Sequence, residues 1–154
     1  MTFSSMKLLL CLTFTMLIGS VSAQSSPNEL SEQFFKTYVE KGSSEALDEL
    51  YSTNSWINKS QDAVLKLKNQ IEGLNEDYVG KYYGYELITE KKISDSYVLR
   101  SYLVKFDRQP IRYTFQFYKP NATWKIYSFQ YDGNISSELE EAAKVYFIID
   151  EQKE

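Results

Sequence analysis

Arg100 is the residue whose setting most suggests chemistry. In Val98-Leu99-Arg100-Ser101-Tyr102-Leu103-Val104 the side chains alternate, and one guanidinium falls on the same side as Val98, Tyr102 and Val104. With Tyr85, Tyr102 and Tyr113 expected on that side, Arg100 would form a cationic floor beneath an aromatic pocket. Such a floor suits a carboxylate or a similar anion, which a guanidinium grips with parallel N–H donors. The alternative is an arginine whose stem lies along apolar surface while its head reaches water or a helix carboxylate. The three tyrosines carry the same duality, as ligand contacts or as core. Trp56 lies in an irregular segment and reads either as a lid over the pocket or as a core anchor.

Other chemistries are scarce. The chain has no histidine, and its one cysteine, Cys11, lies in an N-terminal stretch expected to be removed. Serine–histidine and cysteine–histidine nucleophile systems are therefore excluded, as are zinc sites built from those ligands. No cofactor is expected. Acid–base work by carboxylates and tyrosines remains, and it would need an acid on the buried face, where burial raises its pKa. Strand alternation places Glu86 and Glu90 on the opposite face and Asp107 and Asp132 at strand ends. A helix carboxylate such as Asp48 could still reach in. Glu138, Glu140 and Glu141 cluster as a calcium site would, but a helix N-terminus accounts for them. No catalytic or metal-binding residue is assigned. The sequons at Asn58, Asn121 and Asn134 read as turn and cap chemistry.

The elements that would position these residues fall into two halves. Ser26-Pro27 pairs a good N-cap with a first-turn proline, and Leu30, Phe34, Phe35 and Tyr38 follow at helical spacing up to a stop at Gly42. A second short helix from Ser43 or Ser44 to about Tyr51 buries Leu47, Leu50 and Tyr51. After a break at Asn54 to Lys59, Ser60 opens a third helix with Val64, Leu67 and Ile71 inward and Gly73 beyond its end. Four strands are then expected, Tyr82 to Lys91, Tyr97 to Phe106, Ile111 to Lys119 and Thr123 to Tyr131. The turns between them are of hairpin size, which makes neighbouring strands antiparallel.

Alternation assigns the faces. The core face takes Tyr83, Tyr85, Leu87, Val98, Arg100, Tyr102, Val104, Phe106, Ile111, Tyr113, Phe115 and Phe117, with Arg100 opposite Thr89 and Phe117. The fourth strand has two readings. Without a bulge, Tyr127, Phe129 and Tyr131 join Leu99, Leu103 and Tyr118 in an outer apolar patch, a natural homodimer interface. A bulge near Tyr127 would return some of them to the core. After Gly133, Ser136 or Ser137 caps a last helix, while Val145 to Ile149 reads as its continuation or as a fifth strand.

The ends and the charge place the chain. Lys7 is the only charge before Glu29, and the apolar run Leu8 to Gly19 leads to Val21-Ser22-Ala23, the pattern of a cleaved signal peptide. Residues 1–23 are thus expected to be a signal peptide, and residues 24–154 one exported domain, periplasmic or secreted. The run is too short for stable membrane insertion, which takes about 20 apolar residues. The formal charge of −4 becomes −5 once Lys7 is lost. With no basic tract, an acidic chain is a poor nucleic-acid ligand.

This order of elements, with Trp124-Lys125-Ile126 late in the sheet, the break at Gly42, and the stretches Tyr83-Gly84-Tyr85-Glu86-Leu87 and Phe117-Tyr118-Lys119-Pro120, resembles the NTF2-like superfamily. The likeness is to its small exported bacterial members of unknown function. It implies an α+β, cystatin-like cone in which N-terminal helices pack on a curved antiparallel sheet of four or more strands, followed by a C-terminal helix that the simplest version of the fold lacks. The superfamily is a scaffold for isomerases, hydrolases and binding modules, so the fold leaves function to the site. The expectation is non-enzymatic binding of a small amphipathic or anionic ligand, or of a protein partner. A carboxylate and tyrosine isomerase or hydrolase in the cone, and an interaction protein using the outer sheet face, are the alternatives.

Overall fold

The computed structural model describes residues 25–137 and 139–141. The expected signal peptide and the helix-or-strand question at Val145 to Ile149 lie outside these residues. The fold is α+β, with helices first and a four-stranded antiparallel sheet after them. None of the described helices is long and apolar enough to cross a membrane.

Helix α1 (Pro27–Lys41) starts as its sequence requires. The Glu29 N–H donates to Ser26 Oγ (3.2 Å) and the Ser26 N–H donates to Glu29 Oε2 (2.7 Å), a reciprocal capping box with Pro27 in the first turn. Those bonds from Ser26 hold the Glu29 carboxyl below its usual range. Gly42 ends the helix at φ +100° and ψ 173°, an extended mirror conformation rather than the left-handed helical stop expected, and one that only glycine adopts freely. Helix α2 (Ser43–Ser52) follows at once and buries Ala46, Leu47, Leu50 and Tyr51. A 3₁₀ turn at Ile57–Lys59 leads to α3 (Gln61–Glu72). Ser60 precedes α3, but its hydroxyl makes no capping bond. A one-turn helix, α4 (Glu76–Val79), was not expected; Asn75 caps it through the Tyr78 N–H.

Strands β1 (Tyr82–Ser94), β2 (Tyr97–Phe106), β3 (Ile111–Tyr118) and β4 (Lys125–Asp132) lie in sequence order in the sheet. Residues 135–137 and 139–141 are helical, so the last helix begins one or two residues before the expected serine caps.

The core lies between the helices and one sheet face. Phe34 and Phe35 of α1 enter a ring cluster with Tyr85, Tyr102, Tyr113, Phe115 and Phe129. Phe34 meets Phe115 edge-on at 5.1 Å, and Phe35 stacks on Tyr85 at 3.7 Å. Burying such a ring stabilises the fold by about 1.5–3 kcal/mol, and edge-to-face contacts add about 0.5–1.5. This packing fills the space between helices and sheet. The loop after α2 also serves β4, an edge strand: Asn54 Nδ2 donates to the Ile126 carbonyl (2.7 Å) and the Ile126 N–H donates to Thr53 Oγ1 (3.0 Å). These side chains occupy backbone groups that would otherwise invite another strand.

The expected faces hold on β2 and β3 and fail in part on β1. Register shifts between Tyr82 and Gly84, and between Leu87 and Thr89, each change the parity of β1. Tyr82 therefore packs on the core while Tyr83 is exposed. Leu87 keeps its expected core-face position opposite Tyr102 but is 47% exposed on the edge strand. Glu90, expected outside, stands opposite Arg100 on the core face, and Phe115 is the other neighbour of Arg100, in place of Thr89 and Phe117. On β4 the bulge reading is realised. Gln116 pairs with Ser128 and Phe117 with Ile126, which leaves Tyr127 as the extra residue. Phe129 is consequently only 6% exposed and Tyr131 packs against the core, while Tyr127 stays outside.

Candidate functional site

At the end of the molecule where α1 starts, the sheet runs past its helical cover. There the N-terminal turn of α1, the β1–β2 hairpin and the β3–β4 turn enclose a cleft of about 580 Å³. Pro27, Val98 and Trp124 supply apolar wall, and Asn28, Glu90, Lys92, Asp95, Arg100 and Lys119 supply polar groups. Its volume lies within the usual range for small-molecule sites, about 300–1,000 Å³.

Arg100 stands at the inner wall, 8% exposed, and each of its three side-chain nitrogens donates a hydrogen bond within the protein. Nε donates to Tyr102 Oη (2.7 Å), Nη2 to Asn28 Oδ1 (2.7 Å) and Nη1 to Glu90 Oε2. The guanidinium thus joins β1, β2 and the first turn of α1. Asn28 is oriented for this by donating its own amide to Glu32 (2.7 Å). Glu90 is engaged on both oxygens, since Lys92 Nζ lies 3.2 Å from Oε1. A buried arginine needs such partners, because an unpaired charge there would carry a heavy desolvation cost.

Lys119 has a different setting. It is half-buried, its backbone N–H donates to the Ser96 carbonyl (2.9 Å), and its Nζ lies over the Trp124 ring, 5.0 Å from the centroid. It has no carboxylate partner among the described residues.

Of the residues proposed from sequence, Arg100 alone lines this cleft. Tyr102 is buried behind it and acts as its hydrogen-bond acceptor. Tyr85 is half-buried and stacked on Phe35. Tyr113 is in the middle of the core, where burial, and then the neighbouring Tyr38 hydroxyl, push its pKa far above the ordinary value. Its hydroxyl makes no well-formed hydrogen bond among the described residues. Trp56 is neither lid nor anchor. It is 67% exposed and carries Lys59 over its ring at 3.9 Å.

The outer-face patch shrinks to Leu99 and Leu103, both half-buried, with Tyr118 and Tyr127 more exposed. Phe129 and Tyr131 leave it for the core side. Asn121 and Asn134 do behave as turn residues: Asn121 Oδ1 accepts from the Ala122 N–H (2.7 Å), and the Asn134 carbonyl accepts from Ser137 Oγ (2.9 Å).

Sequence reasoning missed Asn28, Glu90, Lys92 and Lys119. For these, only the spacing of Lys119 and Trp124 across a short turn offers a signal in the sequence. No group of three or more acidic, histidine or cysteine side chains suited to a metal occurs among the described residues. No protein-family model, curated protein or solved structure matches the chain.

Proposed function

We propose that the protein is an exported, non-catalytic binding domain of the NTF2-like type that takes a small amphipathic ligand in the cleft beside α1. The observation that carries this reading is one cleft combining an apolar wall of Pro27, Val98 and Trp124 with a charged rim that includes Lys119. The order of helices and long antiparallel strands supports the family assignment, and the leader-like N-terminus supports export.

Catalysis is the weaker reading, although an acid does stand beside Arg100. Both Glu90 oxygens are engaged by cations, and the chain offers no imidazole. Buried tyrosines hold their protons more firmly: burial pushes Tyr113 up furthest, and Tyr51 and Tyr82 up to about 12. A tyrosine in that state is a poor base near neutral pH.

Native mass spectrometry of the purified protein, alone and with a library of amphipathic small molecules, tests the proposal. A retained or added small-molecule mass that disappears in Trp124→Ala is expected. Binding that survives Trp124→Ala unchanged would place the ligand elsewhere and overturn the assignment. The same spectra report whether a dimer forms through Leu99, Leu103, Tyr118 and Tyr127.

A further inference from the structure

Of the three cations in the cleft, two already hold a carboxylate and one does not. Arg100 and Lys92 share Glu90, whereas Lys119 faces the same space with only an aromatic ring beside it. The Lys119 backbone is held where the β2–β3 ladder ends, its N–H donating to the Ser96 carbonyl, and Pro120 follows it in the turn.

We infer that Lys119, and not Arg100, reads the charge of the ligand, and that the cleft takes a small monoanion with a flat apolar body, an aromatic carboxylate. The inference rests on the cleft being the binding site, as proposed above, and adds the chemistry of what enters it. At Arg100 an anion meets a guanidinium that is 8% exposed, with three of its five N–H groups already given to Tyr102, Glu90 and Asn28 and the Glu90 carboxylate beside it. An anion approaching Lys119 meets an ammonium with no carboxylate partner among the described residues. A dianion would bring a second charge close to Glu90 and Asp95, and like charges at short range in a cleft repel.

The apolar body follows from the wall. Trp124, half-buried at the cleft wall beside the buried Val98 and Pro27, leaves the apolar surface that a ring covers at little entropic cost, and an indole face favours offset stacking. In the unliganded cleft the Lys119 ammonium rests over the Trp124 ring. Swinging the ammonium toward a carboxylate would free that ring for stacking, so charge recognition and stacking are coupled in one pair of residues.

The chain has two tryptophans, which makes the pair directly observable. In a Trp56→Phe background Trp124 is the sole indole reporter. Its fluorescence is titrated with para-nitrobenzoate, with the neutral para-nitrobenzyl alcohol, and with acetate as charge without a ring. Saturable quenching by the nitrobenzoate, with a Kd about tenfold below that of the alcohol, is expected from one charge-assisted contact. Acetate should compete weakly. Lys119→Met and Lys119→Gln should each abolish the preference while leaving the weak binding of the alcohol, and Lys105→Met, which removes a lysine paired with Glu86 outside the cleft, should alter it less than about twofold.

Equal binding of alcohol and carboxylate, or a preference that survives both Lys119 substitutions, overturns the inference while leaving the cleft as a binding site. Absence of saturable quenching by any probe also overturns it. In that case the Trp124-dependent mass adduct decides separately whether the cleft binds a ligand of another class.

Discussion

Replacing Arg100 by methionine tests whether this residue is a structural tie. Methionine keeps much of the stem's packing and removes all three donors, so the loss is confined to the polar contacts. Tyr102 Oη, in a residue only 2% exposed, loses its partner from Nε. An orphaned buried hydroxyl costs about 1–2 kcal/mol. Glu90 loses its stronger cation but has a side chain 30% exposed, retains Lys92, and can turn to water, so that pair is discounted to about 1 kcal/mol. Asn28 is at the surface and adds little. The expected destabilisation is therefore about 2–3 kcal/mol, which for a domain of this size lowers the Tm by roughly 10 °C.

Urea unfolding followed by near-ultraviolet circular dichroism measures it, with Glu90→Gln and the double variant completing a cycle. A coupling near 1 kcal/mol is expected between two residues in direct contact. Amide exchange in the first turn of α1 should also accelerate in Arg100→Met, because Nη2 binds the Asn28 side chain there. A variant within about 0.5 kcal/mol of the parent, the size of an ordinary surface substitution, would refute the reasoning, as would strict additivity with Glu90→Gln.

Tyr113→Phe should be neutral or stabilising by up to about 1 kcal/mol, since it removes a buried hydroxyl without a well-formed bond; the urea midpoint reads it. Gly80→Ala should cost about 2–4 kcal/mol, because Gly80 has φ +84° and a Cβ there would lie 2.8 Å from the Arg108 nitrogen and from Asp107 Cβ. A melting temperature within error of the parent would contradict it.

The bulge at Tyr127 predicts an asymmetry between neighbours: Phe129→Ala should cost about 3–5 kcal/mol and Tyr127→Ala under about 1, and the reverse order would mean the strand lies on its other face. Alkaline pH should also weaken the fold. Tyr51 and Tyr82 have pKa values raised by burial to about 12 against 10.0 for the ordinary group, so the unfolded chain releases these protons first. Their contribution is fully present below pH 10 and is lost as pH rises through about 12, which thermal melts across that window, with tyrosinate absorbance as the second signal, would show.

Where the patterning was strong, the structure could be read from the residues. The capping box at Ser26 and Glu29, the stripe Leu30, Phe34, Phe35 and Tyr38, and the alternation from Val98 to Phe106 and from Ile111 to Phe117 are local signals tied to burial. The one-turn helix α4 escaped because four residues with a single buried valine show no periodicity. The bulge at Tyr127 was one of two readings because Tyr127, Phe129 and Tyr131 are aromatic on either register, and only the packing of Phe129 against Phe34, Tyr113 and Phe115 selects one.

The candidate site was hidden by a more general cause. Alternation reveals a face only while one side of a strand is dry. Past the N-terminus of α1 the inner face of the sheet is no longer covered and becomes the wall of the cleft, so Glu90 and Lys92 can stand on the core side opposite Arg100 and Val98. The parity change between Leu87 and Thr89 shifts the count just before that region is reached, while the one beside Gly84 affects only Tyr82 and Tyr83. The arginine that looked anomalous within an apolar row is the inner margin of this wet region, and it is anomalous only if the row is assumed to stay dry. Charges on the core side of a strand end therefore mark where the cover stops, and here the cover stops at the cleft.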